Sequence, residues 1–271
     1  MSAIAQHRQP AAGAALHGLA RTMIGTPRGR IVTRLLLLAV VLLVWQFIPV
    51  SRPVKMWTSD PGAVVHTLAG WMADGSLWGH LGATLFTMAS GYVLGCTVGV
   101  GLALALGFFP RLHRVLSPFI AAFYALPKIA LAPLLIILLG VGYEAKIILV
   151  AITVFFLVMN ATLDGIRDID GDILDALMLM GATRIETIRK VFIPAAIPWM
   201  FTGMRIAVRY AFTNTLLAEL IASNSGLGFL IQYNAANFNS AGVYAAILVL
   251  VMFSLVLTEV LVRIERRLRS R

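Results

Sequence analysis

Asp175-Ala176-Leu177-Met178-Leu179-Met180-Gly181-Ala182-Thr183, continued by Val191-Phe192-Ile193-Pro194, forms a compact amphipathic insert between two long apolar stretches. Gly171-Asp172 is expected to cap a short helix whose Ile173, Leu174, Leu177 and Met180 make an apolar face, with Gly181 as its C-terminal stop. Thr183-x-x-Glu186 has the form of a capping box for a second helix, with Ile185, Ile188 and Phe192 on one side and Arg184, Arg189 and Lys190 exposed. Pro194 and Pro198 are expected to end that helix and redirect the chain. A helix pair of this kind either lies on a membrane surface or receives a partner protein.

The apolar stretches on either side set the class. The chain of 271 residues is 59% hydrophobic and 13% charged, with mean hydropathy +0.88. Soluble domains are about half apolar and a quarter charged, so this is an all-α, multi-spanning membrane protein. Its formal net charge of +10 does not mark a nucleic-acid binder, because the basic residues lie at the ends of apolar runs and in the tails, without interleaved aromatics. The single cysteine, Cys96, sits inside an apolar run and is read as a core residue. His7, His17, His66, His80 and His113 are scattered without helical ligand spacing, so no metal site is expected.

Six spans account for the hydropathy: Ile31–Val50, Gly82–Phe108, Val115–Leu139, Ala145–Leu163, Ile197–Ile221 and Ala241–Val262. Each is near or above the ~20 residues that cross ~30 Å of hydrocarbon. The expected organisation is an N-terminal tail over 1–30, a transmembrane domain over 31–262 that contains the insert 164–197, and a C-terminal tail over 263–271. Arg and Lys concentrate in both tails, the Arg111/Arg114 connection and the insert, so these segments share the cytoplasmic side. The other connections carry only Arg52 and Lys55, Lys146, or neither type.

Ser59-Asp60-Pro61 reads as an N-cap followed by proline in the first turn of an interfacial helix. Ser223 to Ile231 reads as a glycine turn and a short helix at the outer rim, either a gate or plain packing. Ala83, Thr87, Gly91, Gly95, Gly99, Ala103 and Gly107 recur every four residues, a small-residue stripe that lets a second helix approach closely. Pro127 and Pro133 remove backbone donors within the third span and mark it either as pore-lining or as a kinked packing helix. In the fifth span Arg205 and Arg209 share a face, followed by Thr213, Asn214, Thr215 and Glu219. Arg209 lies about twelve residues in, roughly 18 Å along the helix. It serves either an anion passage or a polar partner, because an ionised group in lipid is costly.

No phosphate-binding loop is present: Lys55, Lys128, Lys146 and Lys190 follow Val, Pro, Ala and Arg, so no Gly-Lys pair exists to cradle a nucleotide. Any ATP that drives transport is hydrolysed on a separate subunit. No nucleophile–base pair or ligand cluster suggests an enzyme.

The insert resembles the cytoplasmic signature of binding-protein-dependent ABC importer permeases, with an acid, Ala176, Gly181, Ala182 and Pro194 at matching spacing. Asp175 replaces the usual Glu, Leu177 the second Ala and Ile193 a Leu. Ala125-Leu126-Pro127-Lys128-Ile129-Ala130-Leu131-Ala132-Pro133-Leu134 with Leu139-Gly140-Val141-Gly142 is similar to the third-span motif of the nitrate/sulfonate/taurine permeases. So are Thr202-Gly203-Met204-Arg205 and Ala218-Glu219-Leu220-Ile221 with Gly226-Leu227-Gly228, the whole resemblance covering about residues 60–265. Lys128 stands where many members have a second proline, which alters either the local bend or the charge met by substrate.

The resemblance implies a type I ABC importer permease fold in a prokaryotic inner membrane. It implies an insert, 172–194, that docks an ATPase through Asp175, Ala176, Leu177, Gly181, Ala182, Thr183, Glu186 and Pro194. A path for a small anion such as a sulfonate, taurine or nitrate is expected near Pro127, Lys128, Pro133, Arg209, Thr213, Asn214 and Glu219. Implied partners are a second permease copy, two cytosolic ATP-binding subunits that hold the ATP and Mg, and an external solute-binding protein; this chain itself needs no cofactor. The alternative is a self-sufficient secondary transporter or channel, although no inverted repeat is evident and Glu219 is the one acid deep in the expected pore-forming spans.

Overall fold

The computed structural model describes residues 27–47 and 58–269, and every regular element among them is helical. The tail 1–26, residues 48–57 with Arg52 and Lys55, and residues 270 and 271 lie outside the described residues. In chain order the elements are α1 (Pro27–Phe47), α2 (Pro61–Ala73), α3 (Ser76–Phe108), α4 (Pro110–Ala125), a 3₁₀ turn (Lys128–Leu131) and α5 (Ala132–Leu139). They continue as α6 (Tyr143–Arg167), α7 (Gly171–Leu179), α8 (Arg184–Thr187), a π-helical turn (Ile188–Phe192), α9 (Ile193–Ile221), α10 (Leu227–Ala236) and α11 (Ser240–Arg269). The chain divides into two compact units, Met1–Val65 and His66–Arg271.

In the first unit, α1 carries exposed Leu35, Leu37, Val41 and Phe47. The start of α2 follows the expected chemistry, with the Ala63 N–H donating to Asp60 Oδ1 at 2.8 Å and Pro61 as first helical residue.

In the second unit α6 packs along both α3 and α9. Val150, Val154 and Val158 of α6 meet Met88 and Cys96 of α3 and Ala207, Val208, Ala211 and Phe212 of α9. Lipid tails are as apolar as these side chains, so helix association in a membrane depends on close van der Waals fit. The small-residue stripe supplies it. A Cβ on Gly95 would lie 2.6 Å from the Ala151 carbonyl oxygen and 2.7 Å from Val154 Cβ, and one on Gly203 would lie 2.6 Å from Ala161 Cβ. The backbones of α3 and α9 therefore reach α6 at distances no larger residue permits.

Five helices among the described residues are long and apolar enough to cross a membrane, α1, α3, α6, α9 (extended back to Ile185) and α11, and a sixth span exists if a bent pair is counted as one. That pair corrects the expected third span. Val115–Leu139 is not one helix but α4 followed by Lys128–Leu139 at 86°. Leu126 has extended backbone (ψ 135) because it precedes proline, and Pro127 has no N–H to continue the ladder. Pro133 falls in the first turn of α5, where proline is tolerated, and breaks nothing.

Gly95→Val should overpack the α3–α6 contact and cost about 1–3 kcal/mol. A Cβ on Gly101 would meet nothing within 4 Å, so Gly101→Val on the same helix should leave stability unchanged. Thermal unfolding of the two variants in detergent checks this.

Candidate functional site

The insert is built by local chemistry. α7 is capped by Asp170 and not by the expected Gly171-Asp172: the Asp172 N–H donates to Asp170 Oδ1 at 3.0 Å and the Ile173 N–H to the Asp170 carbonyl at 3.2 Å. Asp175, Ala176 and Leu177 lie on α7. Its end is a Schellman turn, with Gly181 at φ 74 and the Ala182 N–H donating to the Leu177 carbonyl at 3.0 Å. The Thr183/Glu186 capping box forms as read, with Thr183 N–H to Glu186 Oε2 at 2.9 Å and Glu186 N–H to Thr183 Oγ1 at 3.3 Å.

The expectation that Pro194 and Pro198 end this second helix is corrected. Helical backbone continues from Arg184 to Ile221, with Pro194 in the first turn of α9 and Pro198 inside it. Next to Pro194 the register widens into the π-helical turn, where the Ile193 N–H bonds back to the Ile188 carbonyl, five residues away, and Pro194 follows in the first turn of α9, where its missing donor is tolerated. The insert is thus continuous with α9.

Its surface is unusually apolar for a segment with this much polar capping. Leu179 is 90% exposed, Met180 75% and Ile185 72%, whereas Leu177 is half-buried. Exposed apolar side chains of this kind suit contact with a protein or with a membrane surface. Leu179 was missed by the helical spacing drawn from Ile173, which placed it off the apolar face.

The expected path residues separate into two sets. On α9, Arg209 and Thr213 are exposed on one face, and Thr213 Oγ1 donates to the Arg209 carbonyl at 3.1 Å. Asn214 and Glu219 lie inside the subunit: Asn214 Nδ2 donates to the Tyr210 carbonyl at 2.9 Å, and Glu219 is 1% exposed. Glu219 Oε2 accepts from Thr84 Oγ1 at 3.0 Å and from the Gly228 N–H at 2.9 Å. Neither side chain faces an open path in this subunit. Pro127 is exposed at the bend, and Pro133 is exposed in the first turn of α5.

Lys128 has local work to do. Its Nζ donates to the Tyr124 carbonyl, one of the acceptors released when α4 ends, and lies 4.6 Å from the Tyr124 ring centroid and 5.5 Å from that of Phe156. An open groove of about 540 Å³, bordered by Leu94, Val98, Phe123, Ile152 and Phe156, has no charged side chain in its lining and offers nothing to an anion. Among the described residues no group of three His, Cys, Asp or Glu side chains is placed to hold a metal.

Residues 95–270, from the glycine stripe through the insert to α11, match the family described as binding-protein-dependent transport system inner membrane component. The chain belongs to this family. The permease is similar to the putative aliphatic sulfonates transport permease protein SsuC of Bacillus subtilis (strain 168), with 32% identity over 86% of this chain and 85% of that one. It is similar to the taurine transport system permease protein TauC of Escherichia coli (strain K12), with 30% identity over 85% of this chain and 86% of the relative. A chain from inward-facing structures of the MetNI methionine ABC transporter matches at TM-score 0.55 and 23% identity over 73% of the permease and 96% of that chain, which shows the shared fold.

The protein is therefore a multi-pass inner-membrane permease subunit of a binding-protein-dependent ABC importer, and not a self-sufficient transporter. It is a transport subunit without catalysis or cofactor of its own; ATP is bound and hydrolysed by a separate subunit, and a solute-binding protein is a second partner.

The Gly181 turn separates two effects. A side chain there meets nothing within 4 Å, so its penalty is the positive φ, about 1–2 kcal/mol for most L-residues and little for asparagine. Gly181→Leu should leave the permease inserted but lower the binding-protein-stimulated ATPase activity of the complex, while Gly181→Asn should stay near the parent. Measuring that stimulation in proteoliposomes decides it.

Proposed function

We propose that the permease carries a small anion of the sulfonate class and couples to its ATPase through the insert 172–194, with both chain termini and the insert in the cytoplasm. The exposed apolar surface of the insert, Leu179, Met180 and Ile185 held by a Schellman turn and a capping box, supports the docking role. Asp175, Ala176, Leu177, Gly181, Ala182, Thr183, Glu186 and Pro194 are the proposed coupling residues. Gly181, Thr183 and Glu186 shape the turn, while Pro194 sits where the π-turn hands the insert on to α9.

Arg209 carries the anion reading. A guanidinium exposed on a span needs water, a polar partner or an anion near it, and α9 offers it on the same open face as Thr213. The similarity to permeases named for aliphatic sulfonates and taurine agrees in cargo class. Pro127, Lys128 and Pro133 are proposed to shape the path at the bend, and Asn214 and Glu219 to support it from inside. Two copies related by a two-fold axis, with two ATPase subunits, would place the Arg209 faces on a shared passage.

Ligand binding by the cognate exported binding protein tests the cargo: taurine and alkanesulfonates should be retained, and retention of a flavin or a pyrimidine instead would overturn the anion class. Arg209→Gln should slow uptake of the retained sulfonate about tenfold, the loss that goes with one charged hydrogen bond. Assembly and basal ATPase activity should stay near the parent. Unchanged uptake would remove Arg209 from the path.

A further inference from the structure

The start of α10 is closed by side chains of other helices. Its first donors are the N–H groups of Gly226, Leu227 and Gly228, which have no partner within the helix. They donate in succession to His80 Nδ1 at 3.1 Å, Thr84 Oγ1 at 2.8 Å and Glu219 Oε2 at 2.9 Å. Thr84 Oγ1 donates onward to Glu219 Oε2 at 3.0 Å, so one carboxylate oxygen gathers α3 and α10 onto the end of α9. The fit leaves no slack: a Cβ on Gly228 would lie 2.6 Å from the Leu216 carbonyl oxygen and 2.7 Å from Glu219 Cβ.

Lys146 reaches the same turn from α6. It is 4% exposed, and its Nζ donates to Ser223 Oγ at 2.8 Å, which donates to the Ser225 carbonyl at 2.6 Å. Among the described residues, Lys146 and Glu219 are the charged side chains that are buried. Burying either alone is costly, and the cost is offset only where opposite charge and hydrogen bonds converge. Among the described residues Glu219 Oε1 has no hydrogen-bond partner, so the carboxylate is held there through Oε2.

These two groups occupy a particular place in the chain. α6 leads into the insert and α9 leads out of it. Lys146 lies in the first turn of α6 and Glu219 in the last turn of α9, so both stand at the end remote from the insert. Two closely packed helices thus connect the proposed ATPase contact to the 223–228 turn.

We propose that Glu219 is a positioning residue of the transport cycle: with Thr84 it clasps the 223–228 turn, beside the buried Lys146, so that α10 moves with the α6–α9 pair when the ATPase displaces the insert. The proposal rests on the coupling role of the insert. It assigns α10 as the segment at the far end that reports the displacement, with the acceptor oxygen of Glu219 as the link.

The test uses a nitroxide on exposed Gln232, introduced as Gln232→Cys with Cys96→Ala, in the complete permease–ATPase complex in nanodiscs. Adding ATP with vanadate should change the label spectrum of the parent. Glu219→Ala should leave the complex assembled while reducing the spectral change about tenfold, the population shift expected when a buried donor loses its acceptor. The double variant Glu219→Gln with Lys146→Met keeps an acceptor oxygen without either charge and should restore the response. If Glu219→Ala does not assemble, Thr84→Val, nearly isosteric but without the hydroxyl, should show the same loss.

A parent label blind to nucleotide, a full response in Glu219→Ala or Thr84→Val, or no rescue in the double variant would each overturn the clasp. The role of the insert is decided separately by ATPase stimulation in the Gly181 variants.

Discussion

Backbone-to-backbone contact between α6 and its neighbours is the constraint on which the rest of the permease depends. With little hydrophobic gain from helix association in lipid, the three central helices are held by shape, and shape requires glycine where α3 and α9 approach α6. Because the contact repeats along the α3 stripe, it fixes both rotation and register of α3. That alignment brings Thr84 on α3 opposite Glu219 on α9, 135 residues away in sequence.

The packed centre gives the permease two differently built ends. At one, α6 and α9 are joined by an insert whose caps and Schellman turn satisfy the backbone locally, leaving Leu179, Met180 and Ile185 exposed. At the other, the backbone of the 223–228 turn is satisfied by side chains from α3 and α9, and Lys146 of α6 bonds Ser223. A locally capped surface suits docking. A turn held by tertiary hydrogen bonds follows the helices that hold it.

The π-helical turn and the bend at Pro127 show how proline was accommodated in opposite ways. At Pro127 the preceding residue becomes extended, the helix stops, and Lys128 caps a released carbonyl while stacking on Tyr124 and Phe156. At Pro194 the helix shifts to a wider register and continues, so a displacement of the insert has an unbroken rod, α9, on which to act.

Most of the spans, the insert with its Gly181 stop and Thr183/Glu186 box, and the α3 stripe were legible in the sequence, because length, apolar content, four-residue spacing and capping chemistry are local properties. Residues 125–142, 175–194 and 202–228 also carried the family resemblance in their order of residues. What tertiary structure alone decided is which way each polar side chain turns within a span. Arg209 and Thr213 face outward while Asn214 and Glu219 face inward, a division set by the rotation of α9 against α6 and by donors on distant segments. Local spacing also could not distinguish a proline that stops a helix from one that follows a π-turn, nor show that Lys128 caps α4, since both depend on which carbonyls the folded backbone leaves free.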